Sequence, residues 1–270
     1  MNVHAARFLG DIPAHYDAGL GPHLFADYAA DLARRAAATA PARVLEIAAG
    51  TGIVTRLLRD FLRDTARLVA SDLNPPMLEI ARRKFTADDN VEFQLADATA
   101  LPFPAGAFDA VVCQFGVMFF PDKDKSYREV HRVLAPGGRY HFNVWDSFEH
   151  NPFASITHET VRGFFGREAP TFYTVPFGYH RIDEIKASLT ETGFADISAH
   201  VVKVDKAIPQ ARRFAEGLIF GNPIIEEIWA RGTAHPDAIV AALTGALQRA
   251  FGPDPGRMPL QAIVIGARRR

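Results

Sequence analysis

The sequence predicts an α/β protein built on a doubly wound, mostly parallel sheet of seven strands with helical insertions. Three observations carry that expectation. Short apolar runs that suit buried strands alternate with stretches of helical periodicity, the order that produces parallel pairing. The first run, Val44-Leu45-Glu46-Ile47, stops at Ala48-Ala49-Gly50-Thr51-Gly52, after which Ile53, Val54, Leu57 and Leu58 recur at helical spacing. Polar residues or glycines also stand at the ends of four predicted strands, where an open parallel sheet binds its ligands.

Leu24, Phe25, Tyr28 and Leu32 predict an amphipathic helix over 22–38, the main part of a cap over 1–40. Strand one follows Pro41 at 43–48, and a helix over 51–63 leads to strand two, Arg67 to Asp72. Pro75 and Pro76 suit the first turn of the next helix, where a missing N–H costs nothing. Val91, Phe93 and Leu95 give strand three, closing at Asp97, and Phe108 to Phe115 give strand four. A helix over 122–134 stops at Ala135-Pro136-Gly137-Gly138, and strand five runs from Arg139 to Trp145.

After Asp146 the alternation breaks. Residues 147–180 are rich in aromatics, among them Phe148, Phe153, Phe177 and Tyr179. A helix over 182–192 and a sixth strand over 197–204 restore the rhythm. A second interruption over 207–256 is helical, with Ile239, Leu243, Leu247 and Phe251 on one face, and the last strand spans 260–267. With no internal repeat and no low-complexity linker, the chain is expected to be one domain over 1–270 carrying two insertions.

Composition narrows the function. Thirty basic residues nearly cancel 31 acidic ones, which argues against a nucleic-acid partner bound through a basic surface. The single cysteine, Cys113, excludes an internal disulfide and any paired-cysteine metal site, and its valine neighbours suggest a buried thiol. No pair of histidines has metal-ligand spacing, so no metal is expected. The amino-terminal residues lack the apolar core of a signal peptide, and no apolar run approaches the ~20 residues of a membrane span. A cytoplasmic location is expected.

Gly50 and Gly52 allow a ligand to lie against the main chain. Asp72 ends strand two, 20 positions after Gly52, where one carboxylate offers acceptors for both hydroxyls of a ribose. The competing reading is a solvated aspartate capping the next helix. Asp97 could accept from a purine amine or serve as a turn residue before Leu101-Pro102. Gln114-Phe115-Gly116 ends strand four. The dinucleotide pattern G-x-G-x-x-G is broken by Thr55 at the third glycine, which speaks against a nicotinamide dehydrogenase.

These segments, with Ser71 to Leu78, Ala96-Asp97-Ala98, Phe108 to Val112 and Arg132 to Gly138, resemble a class I S-adenosylmethionine-dependent methyltransferase. Within that family they are similar to the ubiquinone/menaquinone-biosynthesis subgroup. The resemblance covers about 42–146 and implies a Rossmann-like fold and S-adenosylmethionine as cofactor. It implies that Glu46, Ala48, Gly50 and Gly52 line the methionine portion of the cofactor. Asp72 would take the ribose, Leu73 and Met77 would flank the adenine, Asp97 and Ala98 would read its amine, and Gln114 would sit near the sulfonium. Where the family commonly has glycine this chain has Ala48, which is tolerable if its φ is negative.

Transfer of an activated methyl needs alignment and exclusion of water more than acid–base machinery. The histidines at 15, 23, 150, 158 and 180 are candidate bases that more often serve structure, and His141 is expected to pack within strand five. Tyr16, in the segment related enzymes fold over the cofactor, is the candidate catalytic residue. The aromatic insertions, as a substrate lid, suggest a small apolar or aromatic acceptor. The alternatives are a non-catalytic cofactor-binding module acting through a partner, and aminopropyl transfer, which lacks an obvious acidic cluster after strand four. A homodimer is the assembly left to test.

Overall fold

A computed structural model describes residues 6–270; residues 1–5, part of the expected cap, lie outside the described residues. Among the described residues seven strands form one sheet, in the order β3-β2-β1-β4-β5-β7-β6. They are β1 (Arg43–Ile47), β2 (Arg67–Asp72), β3 (Val91–Leu95), β4 (Phe108–Gln114), β5 (Leu134–Trp145), β6 (Phe194–Ile208) and β7 (Gly256–Arg269). β1 pairs in parallel with both β2 and β4, β2 with β3, and β4 with β5. The chain runs outward through β2 and β3, then returns to the other side of β1 as β4. That reversal is the switch point of a doubly wound sheet, and it sets the carboxyl ends of β1 and β4 side by side. The expected fold class holds.

The chain divides into two compact units. One comprises Ala26–Val144, His180–Val202 and Ala262–Arg270; the other comprises the described residues up to Phe25 with Trp145–Tyr179 and Lys203–Gln261. The first holds most of the sheet. Its core joins Ala29, Leu32, Ala33 and Ala36 of α2 (Ala26–Ala37) to Val54 and Leu58 of α3 (Ile53–Phe61) over Val44, Leu68 and Val112. Small residues on α2 let the helix approach closely, and each buried leucine adds about 1.5–3 kcal/mol.

The second unit contains nearly all of both expected insertions. Its helices are α6 (Pro152–Phe165), α8 (Ala211–Phe220), α9 (Ile224–Arg231) and α10 (Pro236–Phe251). Trp145, Phe153, Phe177 and Phe214 meet there with ring centroids 5.8–6.1 Å apart. Aromatic pairs at these separations gain from ring quadrupoles as well as from burial. A polar knot fastens the start of α6 to β7. The Asn151 amide donates to the carbonyls of Asp146, Ser147 and Gln261 and accepts from the Gln261 N–H.

Several boundaries differ from expectation, each for a physical reason. The helix expected over 22–38 is a π-helix over Tyr16–Phe25 continued by α2 from Ala26. Gly19, Gly21 and Pro22 weaken α-helical bonding in that stretch, and proline contributes no N–H. β5 begins at Leu134, five residues early, because Phe108 pairs with Leu134 before the register shifts at Ala110. The Pro-Gly-Gly turn that ends α5 (Lys123–Val133) therefore also forms a bulge in the strand. β6 and β7 extend beyond 197–204 and 260–267, since polar residues at their ends dilute the apolar signal. Among the described residues no helix is long and apolar enough to cross a membrane.

Candidate functional site

The turn after β1 is held by backbone conformation. Gly50 has φ +57° and Gly52 φ +80°, a region that favours glycine. A Cβ on Gly50 would meet nothing within 4 Å, so its backbone faces open space. One on Gly52 would stand 3.2 Å from the Ala81 Cα of α4 (Pro75–Arg82), so that glycine permits close packing. Ala48 overturns the negative φ expected of it: its φ is +53°. The turn keeps the conformation glycine would adopt, and the alanine methyl bears the strain. Thr51 between the glycines is 1% exposed, and its hydroxyl has no hydrogen-bond partner among the described residues.

Asp72 lies at the tip of β2 and is 6% exposed, which removes the reading as a solvated cap. Its Oδ2 accepts from the Gly50 N–H at 2.8 Å; its Oδ1 accepts from the Asn74 N–H at 2.8 Å and from the Asn74 amide at 3.2 Å. The carboxylate thus locks the glycine turn to the end of β2. Burial raises its pKa, against these donors. The Leu73 N–H adds further support to the same carboxylate.

Glu46, on β1, is 1% exposed and accepts one hydrogen bond, from the Thr55 hydroxyl on α3 at 2.6 Å. Its backbone carbonyl accepts from the Ser71 hydroxyl. Burial pushes the Glu46 carboxyl up to about 8, Thr55 opposes this, and the charge of Asp72 adds to it. Cys113 on β4 is fully buried as expected, and burial pushes its thiol up to about 12.

The remaining predicted residues fall at the same end of the sheet. Asp97 is exposed, and its Oδ1 accepts from the N–H and hydroxyl of Thr99, so it does hold a turn; Ala98 beside it is buried. Leu73 is 58% exposed next to Asp72, an unusual setting for a large apolar side chain, while Met77 is buried. The Asn143 amide on β5 donates to the Gln114 side-chain oxygen at 3.3 Å. The Asn143 oxygen accepts from the N–H of Phe115, whose φ is +49°. Among the described residues no group of three or more potential ligands could hold a metal.

Tyr16 belongs to the second unit. It begins the π-helix, is half-buried, and stacks on Phe25 with centroids 4.8 Å apart. A Cβ on Gly221 would stand 3.0 Å from the Tyr16 Cα, so α8 runs against the backbone that carries it. His141 packs within β5, buried, as expected.

Sequence reasoning missed three participants. Thr55 was legible only as an absent glycine, although it is the partner of Glu46. Asn74 carried no role of its own within the stretch Ser71 to Leu78. Asn143 carried a usable signal, an amide between the apolar Phe142 and Val144 of a strand.

The arrangement suits S-adenosylmethionine, which carries a ribose diol and positive charge. Open glycine backbone, a partnerless buried hydroxyl and two buried carboxylates stand together at the switch point. The comparisons agree. Residues 45–142 match the family model described as a methyltransferase domain. A demethylmenaquinone methyltransferase of Thermus thermophilus is 52% identical over 101 residues, 37% of this chain and 46% of that protein. A ubiquinone/menaquinone biosynthesis C-methyltransferase of Hahella chejuensis is 37% identical over 145 residues, 50% of this chain and 57% of that protein. The chain thus spans about half the length of these curated relatives. Among solved structures, the YcgJ protein from Bacillus subtilis has a TM-score of 0.58 at 23% identity, covering 90% of this chain and 99% of that one. A Haemonchus contortus phosphoethanolamine N-methyltransferase in complex with S-adenosyl-L-methionine has a TM-score of 0.59 at 18% identity, covering 96% and 57%. At such identities the structures speak for the fold alone. Residues 45–142 thus resemble a class I S-adenosylmethionine-dependent methyltransferase domain, and within that class they are similar to the ubiquinone/menaquinone-biosynthesis enzymes.

Proposed function

We propose that this chain transfers the methyl group of S-adenosylmethionine to a small apolar or aromatic acceptor. The observation that carries the cofactor half is the Gly50–Gly52 turn, open on its outer side and tied to the buried carboxylate of Asp72. The acceptor half is supported by the aromatic content of the second unit and by the quinone chemistry in the names of the relatives.

Glu46, Ala48, Gly50 and Gly52 would hold the methionine portion, and Asp72 the ribose. Leu73 and Met77 would cover the adenine, Asp97 and Ala98 would meet its amine, and Gln114, steadied by Asn143, would face the sulfonium. When bound, S-adenosylmethionine supplies a methyl group already activated for in-line displacement. The protein then has to orient the acceptor and keep water out, work that suits segments 147–180 and 207–256 acting as a lid. Tyr16 would be the polar group on the acceptor side. The partner is a small molecule.

Two measurements test this reading. Purified protein incubated with S-adenosylmethionine and a panel of phenols, quinols and amines should form S-adenosylhomocysteine with at least one of them. Turnover only on a peptide or nucleic acid would sink the acceptor class. Binding without turnover on any acceptor would leave a cofactor-binding module instead. Asp72→Ala should weaken S-adenosylhomocysteine binding by about 1–3 kcal/mol, read by calorimetry. Unchanged affinity would remove Asp72 from the site.

A further inference from the structure

The two carboxylates beneath the glycine turn are equally buried and unequally supplied. Asp72 receives N–H donors from Gly50, Leu73 and Asn74, whereas Glu46 receives a single hydroxyl, from Thr55. A buried charge persists only where donors or opposite charges replace water. Among the described residues the groups that act on the Glu46 carboxyl are the Thr55 hydroxyl from α3, the Asp72 carboxylate from β2 and the Cys113 thiol from β4, and none of them is a cation. Two neighbouring carboxylates in such surroundings separate into one charged and one neutral group. The donors assign the charge to Asp72 and the proton to Glu46.

We propose that Glu46 is the neutral acid in the empty site, gives its proton to solvent when S-adenosylmethionine brings in its positive sulfonium, and takes a proton back once methyl transfer leaves the uncharged thioether. The residue would thereby discriminate the methyl donor from its product. This inference rests on the cofactor reading above. The balance is simple: the acid and the cationic cofactor give a carboxylate–cation pair plus one proton in solution. No bond other than O–H is made or broken at Glu46.

The direction with pH follows from the Glu46 carboxyl lying near 8 in the empty site and lower beside a cation. Between those two values the empty site holds the proton and the donor-bound site does not, so raising pH favours S-adenosylmethionine. Above about 8 Glu46 is already ionised, and release stops.

Calorimetry in buffers of different ionisation heat tests this on the wild-type protein. S-adenosylmethionine should release a substantial fraction of a proton near pH 7.5, and S-adenosylhomocysteine clearly less. The ratio of their affinities should rise roughly tenfold from pH 6 to 9, the effect of about one unit of linked pKa change. Glu46→Gln, which stays neutral and keeps a partner for Thr55, should abolish both the extra release and the pH dependence of the ratio. Tight binding of both ligands with equal proton release, or a pH dependence that survives in Glu46→Gln, would overturn the role of Glu46 and leave the cofactor assignment standing. Failure of the wild type to bind either ligand would overturn both.

Discussion

In the sheet-bearing unit the buried hydroxyl of Thr51 has no partner and the buried carboxylate of Glu46 has one; in the aromatic unit the buried amide of Asn151 has four. Both regions bury polar atoms near a strand end, yet they do so to different ends. The Asn151 knot is complete and spends its hydrogen-bonding capacity on joining β5, α6 and β7. The glycine turn keeps capacity in reserve, and reserve in a buried place is what a ligand site needs. Between these two places the count of partners differs where residue types alone do not.

The largest effect that probes this contrast lies in the aromatic unit. Phe153 is fully buried against Trp145, Phe177 and Phe214, so Phe153→Ala should cost about 3–5 kcal/mol in denaturant unfolding of that unit. A loss below 1 kcal/mol would mean the rings are loosely packed and the unit is not a fastened body. Asn151→Ala should cost about 2 kcal/mol by the same measurement, since it strands the Gln261 N–H and the Asp146 carbonyl, while the Ser147 and Gln261 carbonyls keep N–H donors from His150 and Asp146.

Thr51→Val sharpens the comparison from the other side. It removes a hydroxyl that has no partner, so thermal stability should hold or rise by about 1 kcal/mol. The same variant should bind S-adenosylhomocysteine more weakly. A stability loss with unchanged affinity would place Thr51 with the fastenings. Ala48→Gly should stabilise the fold by about 0.5–1 kcal/mol, because glycine adopts φ +53° without strain. At the small end, Arg67 and Glu92 form a bidentate pair on adjacent strands at 2.8 Å, half-exposed on both sides. A double-mutant cycle there should give a coupling below about 1 kcal/mol, fading with salt.

Legibility in the sequence followed the range of the signal. The stretch from Val44 to Gly52 and the position of Asp72 were readable because a strand, its turn and the next strand end are local patterns. The pairing of Glu46 with Thr55 was not, since nothing in the types of two residues nine apart says that a strand and a helix bring their side chains to 2.6 Å. Asp97 was left between two readings, and the bonds from Thr99 resolve its turn role. The first helix was placed by apolar spacing, but Gly19, Gly21 and Pro22 turned its beginning into a π-helix.

By itself, then, the sequence determined the alternation of strands and helices, the glycine turn and the acidic residue at the end of β2. Each is fixed by periodicity and backbone freedom within a few residues. Tertiary structure alone decided that Ala48 takes a left-handed φ, that Asp72 is buried and bound to the turn, and that Glu46 is left with a single donor. Those are properties of how many partners burial brings to an atom, and only packing supplies that count.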